Sequence, residues 1–125
     1  LAQERALALG HDAEKTAKGT AQDETGQLAV LVISSPKPSD KIPQSEQVLS
    51  AGAVCLSLVN AALAAGWGAN WLSGWPSHDR AFVAAGFGVD AQESVAGIIH
   101  IGTPANTPPE RPRPDLNALV KWVEA

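Results

Sequence analysis

At 125 residues, 45% of them hydrophobic and 18% charged, the chain carries enough apolar material for one domain over residues 1–125 and too little for two. A net charge of -4 argues against a nucleic-acid surface, which needs clustered Lys and Arg. The single cysteine excludes an internal disulfide and fits a reducing cytoplasm, and no charged segment followed by an apolar one opens the chain as a secretory signal would.

Leu1 to Lys18 is rich in helix formers and broken by Gly10, which predicts two short helical pieces. His11, beside the break and next to Asp12, reads as a solvated loop histidine. Gly19 to Gln27 is polar. Leu28 to Ile33 is then a continuous apolar run, the pattern of a strand buried on both faces. Pro36 to Pro43 holds three prolines and continues neither ladder nor helix, so it is a surface loop. Ser45, with Glu46 after it, is placed to cap the helix that follows.

Ser50 to Gly74 is the stretch around which the chain is organised. From Ala51 to Ala65 almost every residue is apolar and most are small, with only Ser57 and Asn60 interrupting, so no helical face is left for water. Gly52, Ala53, Ala61, Ala62 and Ala65 would let other backbones approach closely, which suits the middle of a domain or a subunit interface. The run is shorter than the roughly 20 apolar residues a bilayer needs, and Asn60 lies within it, so a membrane span is the weaker reading. Cys55 reads as a small packing residue whose thiol burial keeps protonated.

Gly66 can take the left-handed conformation that ends a helix. The bend beyond it, Ala69 to Pro76, sets Trp71 and Trp75 beside polar backbone and Ser73. That combination suits a flat heterocyclic ligand, and it also suits plain capping of the core. Ser77 is placed to cap a short helix with Asp79 in its first turn and Gly86 or Gly88 at its end; His78 reads as surface. Val95 to Ile101 is a second buried strand, with His100 on the opposite side from Ile99 and Ile101 as a hydrogen-bonded core or edge histidine. Pro104 to Pro114 contains five prolines and forms an extended arm; Asp115 then caps a terminal helix whose Leu116, Leu119, Val120 and Val123 share a face. Such an arm and helix suit reaching across to another subunit.

Gly66-Trp67-Gly68 follows a helix and lacks the third glycine, so it is not a dinucleotide fingerprint. Hydrolase elbow, phosphate loop and Cys/His metal spacing are absent from the sequence, and no side chain stands out as a general acid or base.

Taken in order, S-A-G-A, the apolar helix, A-x-G-x-G, W-x-S-G, then V-A-G-I-I-H-I-G-T-P and E-R-P-R-P-D-L resemble the flavin-dependent nitroreductase family, in its small YdjA-like branch, from about Leu28 to Trp122. The resemblance implies an α+β fold, with a mixed sheet flanked by helices and a central helix at a homodimer interface. It also implies FMN bound at that interface, reduced by NAD(P)H, and a small-molecule acceptor such as a nitroaromatic or quinone. Carried over by position, Trp71, Leu72 and Ser73 would line the flavin, Ala61 would stand on the nicotinamide side, and Arg111 and Arg113 would meet the FMN phosphate. The family often has Arg where this chain has Leu72, so phosphate contacts must come from elsewhere. The sequence has no methionine and begins in what reads as mid-helix, without the family's R-R-S-type motif, so it reads as a fragment lacking one wall of the pocket. Two other readings share these features. One is a non-catalytic dimerisation or binding module; the other is a flavin-cleaving or dehalogenating relative.

Overall fold

The computed structural model describes residues 1–17 and 27–123. Lys18 and most of the polar stretch after it lie outside the described residues. In chain order the elements are α1 (Ala2–Ala8), β1 (Leu28–Ser34), α2 (Gln44–Ala64), β2 (Gly68–Leu72), α3 (Trp75–His78), α4 (Arg80–Phe87), β3 (Ser94–Gly102) and α5 (Leu116–Leu119). Gly10 breaks the first helical segment at φ 71° as expected, and residues 13–17 are helical again.

β3 is the middle strand of the order β1-β3-β2 and pairs antiparallel with both neighbours. The α+β architecture is the expected one; the parallel component of a mixed sheet is not among the described strands. Between Val32 and Ile33 the register slips and Ala96 is left out of the pairing, so the side-chain alternation of β3 inverts there. One face therefore presents Val32 and Ile99 to Cys55 of α2, with Val30, Leu58 and Val59 around them. The other collects Val83, Val89 and Val95 with Leu31 and Ile98. The sheet is thus covered by α2 on one side and by the α4 region on the other. β1 is an edge strand, with Leu28 and Ile33 exposed, and is not buried on both faces as its unbroken apolar run suggests.

The start of α2 differs from expectation: Pro43 occupies the N-cap and Ser45 lies inside the first turn. A fixed φ of -57° pre-organises that turn without a capping hydroxyl. Gln47 ties the preceding loop to the helix. Its amide nitrogen donates to the carbonyls of Lys37 (2.9 Å) and Ile42 (3.1 Å), and its oxygen accepts from the Lys37 N–H (2.8 Å). At the far end Gly66, at φ 84°, makes a Schellman motif, with Trp67 N–H bonded to the Ala62 carbonyl and Gly66 N–H to that of Leu63, both at 3.0 Å.

The bend after Gly66 is not irregular. Gly68 to Leu72 is β2, which pairs with Gly102 to Ile98. Ser77 does not cap α4 either; Asp79 does, accepting from the Phe82 N–H at 2.8 Å. Asp79 also receives the Arg5 guanidinium through both oxygens, at 2.7 and 2.9 Å, which locks α1 onto the start of α4. Edge-to-face contacts run from His11 through Trp75 and Phe82 to Phe87. His11 is accordingly a packed residue and not a solvated one. At the C-terminus the Pro-rich arm is irregular and exposed, and α5 is a single turn capped by Asp115, shorter than the apolar stripe suggests.

Candidate functional site

Within the described chain α2 buries only Cys55 and Ala62, so the helix that sequence reading left with no face for water shows most of its surface. Leu49, Leu56 and Leu63, spaced by seven, are 73%, 55% and 52% exposed. Seven residues fall about 20° short of two full turns, so the three leucines form one stripe, with Ala53 and Asn60 at the interleaved positions. Beside it, Ser50, Ala53, Val54, Ser57, Leu58 and Ala61 line a shallow groove of about 440 Å³. At 21 residues and mean hydropathy 1.7, α2 would pass as a membrane span by length and composition alone, so the shortness of the apolar run does not argue against one. Its packing against all three strands shows a helix built onto a sheet.

Trp71 sits in β2 opposite Ile99. Its indole leans along the sheet over Gly97 and reaches across to Gly52 of α2, yet it stays 42% exposed. Leu72 is half-buried and closes the ladder against Ile98; Ser73 is exposed and lies beyond the pairing, as does Gly74. These residues therefore stand beside the N-terminal half of α2. Ala61 is on the groove face nine residues further along, about 14 Å at 1.5 Å per residue. Arg111 and Arg113 lie on the exposed arm, where Arg113 Nε pairs with Glu110 Oε1 at 2.7 Å. The sequence-derived residues thus fall into three places: the strand end, the outer helix face and the arm.

Among the described residues the titratable groups do not form an acid-base centre. Burial pushes the Cys55 thiol up from its ordinary value, which keeps it protonated and inert. Asp79 is held below the usual carboxylate range, chiefly by its hydrogen bonds from Arg5 and further by the Phe82 N–H. Glu93 is lowered by hydrogen bonds from Ser35 and from the Asp90 N–H, with Lys37 nearby. His78 is exposed, and His100 is half-buried opposite Ala29 and Asn70. Among the described residues no three His, Cys, Asp or Glu side chains cluster as metal ligands. Among the described residues, the buried polar atoms His11 Nδ1, Trp75 Nε1 and Ser77 Oγ have no hydrogen-bond partner, and all three lie in the α3 region.

Sequence reading missed two features here. The seven-residue spacing of Leu49, Leu56 and Leu63 is visible in the sequence but was hidden inside a run that is apolar all round. The pairing of Trp71 with β3 was masked because Gly68, Ala69 and Asn70 are poor strand formers.

The nitroreductase family model matches residues 1–103. Among curated sequences, the Escherichia coli K12 protein named "Putative NAD(P)H nitroreductase YdjA" is 30% identical over 102 residues, which is 82% of this chain and 55% of that protein. The O157:H7 protein of the same name matches to the same extent. The chain thus spans a little over half the length of these relatives. A nitroreductase-like structure from Bacillus cereus superposes with a TM-score of 0.73 at 20% identity, covering 99% of this chain and 67% of that one. A structure from Exiguobacterium sibiricum, of a protein in complex with FMN, superposes at 0.54 and 16% identity, covering 96% and 53%.

Proposed function

Because this chain belongs to the nitroreductase family, we propose that two copies of it pair through α2 and hold FMN at their contact, in an NAD(P)H-dependent oxidoreductase of the cytoplasm. The observation that carries the reading is the outer face of α2: an exposed leucine stripe and apolar groove lie on the helix against which the Trp71-bearing strand packs. Free, such a face is a liability; covered by a second copy, it makes a walled site of a shallow one.

The residues present fit part of such a cofactor. An apolar groove with the hydroxyls of Ser50 and Ser57, the exposed edge of an indole, and backbone beyond the last ladder pair at Ser73 and Gly74 suit a flat ring with polar edges. Trp71, Leu72 and Ser73 would hold the ring, Ala61 would leave space for the nicotinamide, and Arg111 and Arg113 would take the phosphate. For that, the arm must be drawn in and Arg113 released from Glu110. When bound, FMN would supply the redox chemistry, accepting hydride from NAD(P)H and passing electrons to a nitroaromatic, quinone or similar acceptor. The chain's own part is to bind and orient, to exclude water with the α2 face, and to present backbone N–H groups where negative charge gathers.

The test is a visible spectrum of the purified protein before and after adding FMN and removing the unbound fraction, followed by NAD(P)H oxidation with a nitroaromatic or quinone acceptor. Retained flavin absorption with acceptor-dependent oxidation is the expected result. A dimer that retains no flavin would favour the second reading, a dimerisation module, toward which the exposed Leu116, Leu119, Trp122 and Val123 of the C-terminal segment also point.

A further inference from the structure

Three of the sequence motifs meet at one side chain. Gly52 belongs to S-A-G-A on α2, Trp71 to W-x-S-G on β2, and Gly97 to V-A-G-I-I-H on β3. A Cβ on Gly97 would overlap Trp71 Nε1 and stand 2.6 Å from Trp71 Cδ1, closer than real side chains come, and it would press tightly on Cys55 Sγ at 3.0 Å. At the other end of the ring, a Cβ on Gly52 would lie 3.9 Å from Trp71 Cη2, an ordinary contact. The pyrrole side of the indole thus rests on the bare backbone of the central strand while its benzo end reaches the helix. An interior strand glycine weakens a sheet by conformational freedom and by lack of a packing side chain, and it commonly marks a place where another group must come close. Here that group is an aromatic ring from the diagonal cross-strand position.

We propose that Gly97 opens a slot, bounded at its far end by α2 at Gly52, that fixes the indole of Trp71, and that Gly97 is a positioning residue for the flavin site. By holding the ring it sets where the exposed edge and the adjoining Leu72–Ser73–Gly74 backbone stand. The flavin part rests on the function proposed above. Core filling alone does not explain the arrangement. Trp71 keeps 42% of its surface exposed whereas its strand partner Ile99 is at 0%, and a β-branched residue at position 97 would fill the same face with better strand propensity.

The experiment is a double-mutant cycle of Gly97→Ala and Trp71→Ala, read by urea unfolding and by the equilibrium binding of FMN to each folded protein. The slot predicts that Gly97→Ala lowers the unfolding equilibrium constant's favour for the native state at least tenfold when Trp71 is present. With Trp71→Ala in place, the same change is neutral or stabilising. Gly97→Ala alone also shifts tryptophan emission as the ring is expelled. Equal cost of Gly97→Ala in both backgrounds overturns the slot. The positioning role predicts that Gly97→Ala with Trp71 retained, assayed where it is folded, binds FMN at least tenfold more weakly than wild type. Wild-type binding by that variant overturns the positioning role and leaves the flavin site intact, whereas a wild-type protein that takes up no FMN overturns the functional reading and the positioning role with it.

Discussion

The leucine stripe on α2 gives the most direct handle on how two copies meet. Leu56, at its centre, is 55% exposed in the single chain. Full burial of a leucine is worth roughly 1.5–3 kcal/mol, so covering the exposed half contributes about 1 kcal/mol. A two-fold interface uses the same face twice, so Leu56→Ala removes about 2 kcal/mol from association. That weakens the dimer roughly 30-fold in Kd. Leu56→Glu goes further, because it sets a carboxylate from each copy against an apolar face and leaves both without a partner. Sedimentation equilibrium across the micromolar range measures the change, with circular dichroism to show that the helix content is kept. A well-folded wild-type protein that stays monomeric, or a Leu56→Glu protein that associates like wild type, would refute the reasoning.

Asp79 makes the acid limb of stability testable. Its folded value is lowered, chiefly by Arg5, so its stabilising contribution is complete above the unfolded carboxylate value of about 3.9 and is lost as pH falls through the folded value. Asp79→Asn should therefore lower the melting temperature at neutral pH and shrink the gap to wild type in acid; a gap that persists undiminished at pH 2 would contradict the assignment. Ile99, fully buried between Val32 and Cys55, should cost about 2–5 kcal/mol on truncation to Ala, read by urea denaturation. Cys55 should react with an aromatic disulfide reagent only as fast as the chain opens, and stoichiometric labelling of the native protein within the dead time would show that the thiol is not enclosed.

Much of the fold was legible because its signals are local. The apolar runs at Leu28–Ile33 and Val95–Ile101 are both strands, Gly66 and Gly88 both take the left-handed turn, and Asp115 caps the last helical turn. What the sequence hid depends on partners distant along the chain. β2 is a strand because β3 offers it a ladder, not because Gly68, Ala69 and Asn70 favour extension. Asp79 rather than Ser77 caps α4 because Arg5, far away in sequence, holds that carboxylate in place. The burial of α2 was misjudged for a related reason, since composition says that a face must be covered but not whether the cover lies within the chain. At the site, the motif order carried the family, whereas the meeting of Gly52, Trp71 and Gly97 is visible only once the sheet register is known.

The central claim is that FMN is held where two α2 faces meet, and the most direct measurement is flavin retention against oligomeric state. Wild-type protein and Leu56→Glu are each saturated with FMN, freed of unbound cofactor on a sizing column, and read for flavin absorbance in every fraction. The account predicts flavin in the dimer fractions of the wild-type protein and none with the folded monomeric variant. Flavin bound equally by a monomer, or a wild-type dimer that elutes colourless, would contradict it.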